Sequence, residues 1–315
     1  MNLHNRAQEM EDKLTRPRKS IKDHTIEELE AQIREVENDT KITDKEAQIY
    51  LLMKDYKGAD EVISSEDLPA YLEKQPPRIN TGIHDLDTLT GGFGPENLVV
   101  LSGPTGQGKT LVAQHLTSWV AKDGHKSLWF SFELSLAELL ERFQKFEHKP
   151  VFYTPKSNVS RSIVWIERKI IEGIAKFDTK FVFIDHTHYL LNMREMGREN
   201  TSLYLGDLVR ELKLIARKYG IVIVLIHHLK KTSVLEAPTI DDLRDSSFVG
   251  QEADYVLICW RKPVVSKKKE MLLEGIRYTN ETLLSVVKNR QYGKLGTATF
   301  VYKDGNLTPV YDPAR

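Results

Sequence analysis

From Leu98 onward the apolar residues fall into short dense runs separated by longer stretches of helical spacing. The runs begin with Val99, Val100 and Leu101, followed by SLWFSF (127–132), KFVFI (180–184), IVIVLI (221–226) and YVLICW (255–260). A strand with one wet face alternates apolar and polar positions, whereas a strand covered on both faces is apolar almost throughout. The pattern therefore predicts buried strands. Between them, residues 111–120, 137–146, 163–175 and 203–218 space their apolar positions as one face of a helix requires. Residues 283–288 and 297–302, set around Gly293 and Gly296, predict a closing hairpin. Strands alternating with helices predict an α/β fold, a mainly parallel central sheet covered by helices on both faces. Ligands of such sheets bind beyond the carboxyl ends of the strands.

The chain before this region reads differently. Residues 1–23 are polar and charged, and a capping-box pattern at Thr25–Glu28 opens an amphipathic helix with Ile26, Leu29, Ile33 and Val36 on one face. A second helix follows Thr43-Asp44, and a short third spans 65–74 before Pro76-Pro77. The two prolines mark a boundary. Residues 1–77 are expected to form a small helical region and linker arm, and residues 78–315 the main domain. Whether the helices pack on their own chain or on a neighbour is open at this level.

Composition narrows the class. Forty-five basic residues balance forty-five acidic ones, so bulk charge gives no argument for nucleic acid. The single cysteine, Cys259, lies in an apolar run and reads as a core residue; it excludes a disulfide framework and a multi-cysteine zinc site. No run approaches a membrane span and the polar start is no signal peptide, so the expectation is a cytoplasmic protein with no membrane partner, found at a nucleoid or viral replication site or in an organelle.

The chemistry starts at Leu98–Thr110, LVVLSGPTGQGKT. Gly103, Gly108, Lys109 and Thr110 fit the phosphate-loop spacing, with Pro104, Thr105, Gly106 and Gln107 as the loop between them. Glycines let successive N–H groups turn inward onto phosphate oxygens, and the following helix adds its positive end. Lys109 is placed to reach the terminal phosphates and Thr110 to hold Mg2+, which makes a nucleotide the expected ligand. Asp185, ending a buried strand, is the partner carboxylate for the metal. Glu133, ending another, either orients the attacking water or caps the helix that follows. Of His227 and His228 only one can face the site, because neighbours on a strand point opposite ways. Lys288 and Arg290 end a late strand, either as a solvated end or as cations offered to another subunit's nucleotide.

The stretches DLRDSSFVGQEAD (242–254) and KNRQYGKLG (288–296), taken with the motifs above, resemble the hexameric replicative helicases: the DnaB type, the helicase half of phage primase–helicases and Twinkle. The likeness runs from about Arg78 to Tyr311 and implies a RecA-like P-loop motor. By this resemblance Glu133 is the catalytic glutamate, His228 the phosphate sensor, Arg290 the trans-acting arginine finger and Lys288 its companion. Arg261 and Tyr302 are implied to sandwich the adenine. Loops 192–202 and 230–245 are implied to face a channel holding single-stranded DNA, with Arg194, Arg198, Lys230, Lys231, Arg244, Asp245 and Ser247 at its contacts. Ser247 stands where the family usually has glycine, and His186-Thr-His-Tyr follows Asp185 where bacterial members have Tyr-Leu-Gln. The implied activity is an ATP-dependent helicase that forms a hexameric ring, moves 5′ to 3′ on single-stranded DNA and unwinds forked duplex DNA. A primase or helicase loader is the implied partner, and primase activity of its own is not expected. The alternatives at this stage are a RecA-like recombinase forming filaments and a non-motor ATPase switch.

Overall fold

The computed structural model describes residues 64–157, 162–186, 190, 201–229, 236–243, 247–264, 278–303 and 306–310. The chain divides into two compact units, Met1–Lys74 and Gln75–Arg315. Of the first, the described part holds helix α1 (Leu68–Leu72). The two longer N-terminal helices expected from the sequence lie outside the described residues.

The second unit is built on one nine-stranded sheet in the order β3-β2-β4-β5-β1-β6-β7-β8-β9. Its strands are β1 (Leu98–Ser102), β2 (Lys126–Ser131), β3 (Phe152–Tyr153), β4 (Thr179–Asp185), β5 (Val222–Ile226), β6 (Tyr255–Pro263), β7 (Tyr278–Asn289), β8 (Gly296–Lys303) and β9 (Asn306–Val310). The pairs from β3 through β6 are parallel, and β6 through β9 pair antiparallel. The helices are α2 (His84–Thr90), α3 (Lys109–Lys122), α4 (Leu136–Gln144), α5 (Ile163–Phe177), α6 (Thr201–Tyr219) and α7 (Ser247–Glu252). None of the described helices is long and apolar enough to cross a membrane.

Successive residues of each central strand enter opposite cores, as a period of two demands. Val99, Leu101, Trp129, Phe183, Val224, Leu257 and Cys259 meet Val112, Leu116 and Val120 of α3 and Leu139 and Phe143 of α4. Leu98, Val100, Phe130, Val182, Ile184, Ile223 and Ile258 meet Ile166 and Ile170 of α5, and Leu205, Val209 and Leu212 of α6. This double coverage is why those strands read as unbroken apolar runs.

The expected hairpin is present but longer: β7 continues back to Tyr278 and β9 adds a further edge. Strand β9 carries Pro309, a residue confined to positions where no ladder donor is needed. Its inner end is held from below. The Leu307 N–H donates to His115 Nε2 on α3 at 2.9 Å, and the His115 ring packs edge-on to Phe146 with centroids 4.5 Å apart.

Candidate active site at the carboxyl edge of the sheet

Strand β1 ends at Ser102, whose Oγ donates to the His227 carbonyl at 2.9 Å and ties β1 to β5 where the loop begins. Gly103 then turns with φ +154°; a Cβ there would stand 2.2 Å from the Cys259 carbonyl oxygen. Only glycine fits. Gly108, at φ +98°, closes the loop and Lys109 opens α3. Gln107 fastens the loop to β6: its carbonyl accepts from Cys259 Sγ at 3.1 Å and its Oε1 from the Arg261 N–H at 2.7 Å. Cys259 is wholly buried, and that burial pushes its thiol up to about 12, so it acts as a packing residue.

Lys109 is buried, and its amine donates to the carbonyls of Gly103 at 2.9 Å and Pro104 at 3.0 Å. Burial lowers its pKa, opposed by Cys259, Asp185 and Glu133 nearby. Thr110 Oγ1 donates to Asp185 Oδ2 at 2.9 Å. Asp185 is 1% exposed, and burial lifts its pKa to about 6; the Thr110 hydroxyl and the Lys109 charge oppose that rise, and the Glu133 charge adds to it. Its second oxygen, Oδ1, is buried with no hydrogen-bond partner. A buried carboxylate with an orphaned oxygen beside a hydroxyl is an all-oxygen donor set, which fits a magnesium ion.

Glu133 stands two residues beyond β2, next to Asp185, because the Phe132 N–H donates to the Asp185 carbonyl at 2.7 Å. Helix α4 is capped by a reciprocal pair, Ser135 and Glu138. The capping role open to Glu133 in the sequence thus falls to Glu138. The Glu133 side chain is 48% exposed, with Oε2 3.6 Å from His186 Nδ1. The His186 ring meets His228 at a centroid distance of 4.2 Å, nearly perpendicular. Of the two adjacent histidines, His227 is buried under the β1–β5 seam and His228 stands at the site, as strand alternation requires.

Arg290 and Lys288 lie at the other end of the sheet. Asn289 is level with Tyr255, and Tyr255 with Val99. Gly103 is four residues further along and two strands across, which separates it from this turn by about 16 Å. That exceeds the span of an arginine side chain, so Arg290 cannot serve the loop of its own chain. Its N–H donates to the Asp254 carbonyl at 2.9 Å, and its exposed guanidinium has no hydrogen bond or ion pair among the described residues. Lys288 behaves differently. Its amine donates to the carbonyls of Gly250 at 2.6 Å and Gln251 at 2.8 Å in α7, and burial lowers its pKa.

Arg261 lies over the rings of Tyr302 and Tyr278, at 5.6 and 5.8 Å from their centroids, and donates to the Thr279 carbonyl. The arginine and Tyr302 expected at the adenine are thus neighbours across β7, with the Arg261 backbone bonded to Gln107. Arg194, Arg198, Lys230, Lys231, Arg244 and Asp245 lie outside the described residues, and Ser247 begins α7. Two residues escaped the sequence reading of the site. His186 was visible only as a departure following Asp185. Arg78 donates to the carbonyls of Thr90, Gly91 and Gly92 and to the Tyr255 hydroxyl at 2.6 Å, and lies over Tyr292 beside the Arg290 turn.

Known proteins share this fold. The family model described as "DnaB-like helicase C terminal domain" matches residues 78–150 and 143–308. A "Probable replicative DNA helicase" of Trieres chinensis is 26% identical over 310 residues, covering 85% of this chain and 66% of that protein. The "Replicative DNA helicase DnaB" of Helicobacter pylori (strain J99 / ATCC 700824) is 24% identical over 226 residues, covering 61% and 46%. The chain thus spans about half to two thirds of the length of the curated relatives it matches. Among solved structures, one isolated ATPase domain aligns with TM-score 0.65 at 19% identity, over 80% of this chain and all of that one. A "DnaB-Like Replicative Helicase" described with its interactions with primase aligns with TM-score 0.61 at 18% identity, over 89% and 75%. The fold is theirs, and with the family model matched over most of its length the chain belongs to the DnaB-like helicase C-terminal domain family.

Proposed function

We propose that this chain is the motor of a replicative DNA helicase, hydrolysing ATP with Mg2+ at the seam between neighbouring subunits of a hexameric ring. The observation that carries the reading is the division of the machinery between two ends of one sheet. Lys109, Thr110, Asp185, Glu133 and His228 gather at one end, and Arg290 presents an exposed cation at the other, out of reach of its own phosphate loop. A nucleotide held by the first set is completed by a second copy's Arg290.

In this reading the loop N–H groups and Lys109 bind the phosphates, so that Lys109 exchanges its loop carbonyls for phosphate oxygens. Thr110 and Asp185 would hold the magnesium ion, which when bound would supply charge neutralisation at the terminal phosphates. Glu133 orients the attacking water and accepts its proton, and His228 bonds the terminal phosphate. Arg290 of the neighbouring copy stabilises the charge that develops in the transition state. Arg261 and Tyr302 hold the adenine face, and Lys288 of the neighbouring copy accompanies its Arg290. Residues 1–77 are the N-terminal helical region and linker arm, and residues 78–315 the motor. Loops 192–202 and 230–245, with Arg194, Arg198, Lys230, Lys231, Arg244, Asp245 and Ser247, grip the phosphates of single-stranded DNA, a contact that weakens with salt. Movement runs 5′ to 3′ on forked DNA, with a primase or loader as partner. The family match favours this over a recombinase or a non-motor switch.

The test is unwinding of a forked duplex with ATP and magnesium, alongside DNA-stimulated hydrolysis and particle imaging. Arg290→Ala is expected to fold, assemble and bind nucleotide, yet to lose hydrolysis and unwinding together. Full hydrolysis in that variant, or turnover indifferent to DNA in a chain that stays monomeric, overturns the proposal.

A further inference from the structure

Strands β2, β4 and β5 are neighbours in the sheet, and each places one ligand-bearing side chain just past its carboxyl end. Glu133 is two residues beyond β2, His186 one beyond β4 and His228 two beyond β5. Adjacent strands are about 4.8 Å apart, so the sheet itself brings these groups together. One donor atom from each lies within 4.8 Å of the others. The set is two imidazoles and one carboxylate, each within two residues of a strand end.

We propose that Glu133, His186 and His228 form a binding site for a divalent transition metal of the zinc class, and that its occupancy arrests the motor. The metal-binding half stands on geometry alone. The arrest half rests on the function proposed above, since the bound ion would take the carboxylate assigned to water activation.

Donor chemistry separates this site from the magnesium site beside it. Magnesium demands oxygen ligands, which Thr110 and Asp185 supply. Imidazole nitrogen favours zinc and its neighbours in the first transition row, and two histidines with one carboxylate leave a fourth position for water or a phosphate oxygen. The distances suit that use. Donors on a tetrahedral ion with bonds of about 2.05 Å are about 3.3 Å from one another. Glu133 Oε2 and His186 Nδ1 stand at 3.6 Å, longer than a good hydrogen bond and close to that ligand spacing. The perpendicular His228 ring has its centroid 4.2 Å from that of His186, which keeps one donor of each within 4.8 Å of the carboxylate. The negative charge of Glu133, felt by both Lys109 and Asp185, adds attraction for a cation at this point. A surface cluster of acids has none of this: the nitrogen donors are what set the metal class.

Cobalt(II) is the probe, because its visible absorption reports tetrahedral or five-coordinate binding without any turnover. The full chain, free of nucleotide and magnesium, is expected to bind one cobalt with such bands and to release it to zinc. His186→Asn and Glu133→Gln are each expected to weaken binding at least tenfold while retaining the wild-type circular dichroism and thermal transition. In a second arm, each protein's ATP turnover in excess magnesium is compared with and without zinc. Zinc is expected to stop wild-type turnover, reversibly on chelation, and to leave the turnover ratio of His186→Asn near one. Cobalt spectra that are the same in wild type and both variants overturn the site. Normal cobalt binding with zinc-insensitive turnover overturns the arrest. A chain that binds cobalt and hydrolyses no ATP keeps the site and instead defeats the function proposed above.

Discussion

His115 makes a sharp test of how the far edge of the sheet is held. It is 5% exposed, accepts the Leu307 N–H through Nε2 at 2.9 Å, and packs against Trp119 and Phe146. Burial, with a smaller push from the Lys122 charge, lowers its pKa from 6.5 to about 4. The folded chain therefore favours the neutral ring. The stability this lends is complete above the unfolded value of 6.5 and is lost as pH falls toward about 4. With these two values, the loss between about pH 7.5 and about pH 5 comes to about 2 kcal/mol, rising to about 3 kcal/mol below the folded value. Other groups titrate in the same range, so the measurement is a difference. His115→Gln keeps an acceptor and carries no charge. Urea unfolding of both proteins across this range should show wild type losing about 2 kcal/mol more than the variant. The protection factor of the Leu307 amide, its exchange rate corrected for the intrinsic effect of pH, should fall over the same interval in wild type alone. Parallel pH profiles for the two proteins would refute the reasoning.

Three further outcomes follow from the geometry. Glu133→Gln is expected to lower ATP turnover by about 10²- to 10⁴-fold with nucleotide affinity retained, measured by steady-state hydrolysis and a fluorescent nucleotide. Asp254→Ala removes the acceptor of both the Leu98 N–H at 2.7 Å and the Lys213 amine at 2.6 Å, a partly buried pair at the start of β1. It should cost about 3 kcal/mol in urea unfolding, most of it from the Leu98 amide left unpaired and the Lys213 amine left without its counter-charge, its bond to the Glu96 carbonyl remaining. Gly103→Ala drives a methyl group into the Cys259 carbonyl, and should lower the thermal midpoint and abolish nucleotide binding together.

The central strands and the phosphate loop were legible because their signals are local. A strand buried on both faces declares itself residue by residue, and the loop's glycines, lysine and threonine are contiguous. The elements missed have no such signature. Strand β3 is two residues long, and β9 exposes most of its length, so neither produces an apolar run. Helices α2 and α7 are short and set by their surroundings. Within the site, Glu133 had two readings until Ser135 and Glu138 were found to cap α4 between themselves. His186 and Arg78 acquire their neighbours through strand order and chain return, which no spacing in the sequence records. The distance between Arg290 and Gly103 is of the same kind. It follows from β7 running against β6, a direction the residues of β7 do not announce.

In the ring proposed above, that antiparallel return would give each copy two unlike edges, one that receives a guanidinium and one that donates it. Contacts made this way are head-to-tail, and they close only when the rotation between copies divides a full circle. No copy can then be judged by its own integrity alone. On that proposal a lesion at Lys109 would silence the pocket it sits in, whereas a lesion at Arg290 would silence the pocket next door, and the two injuries in adjacent copies could fall on a single junction or on two. The damage a mixed population suffers is thus a matter of who stands beside whom.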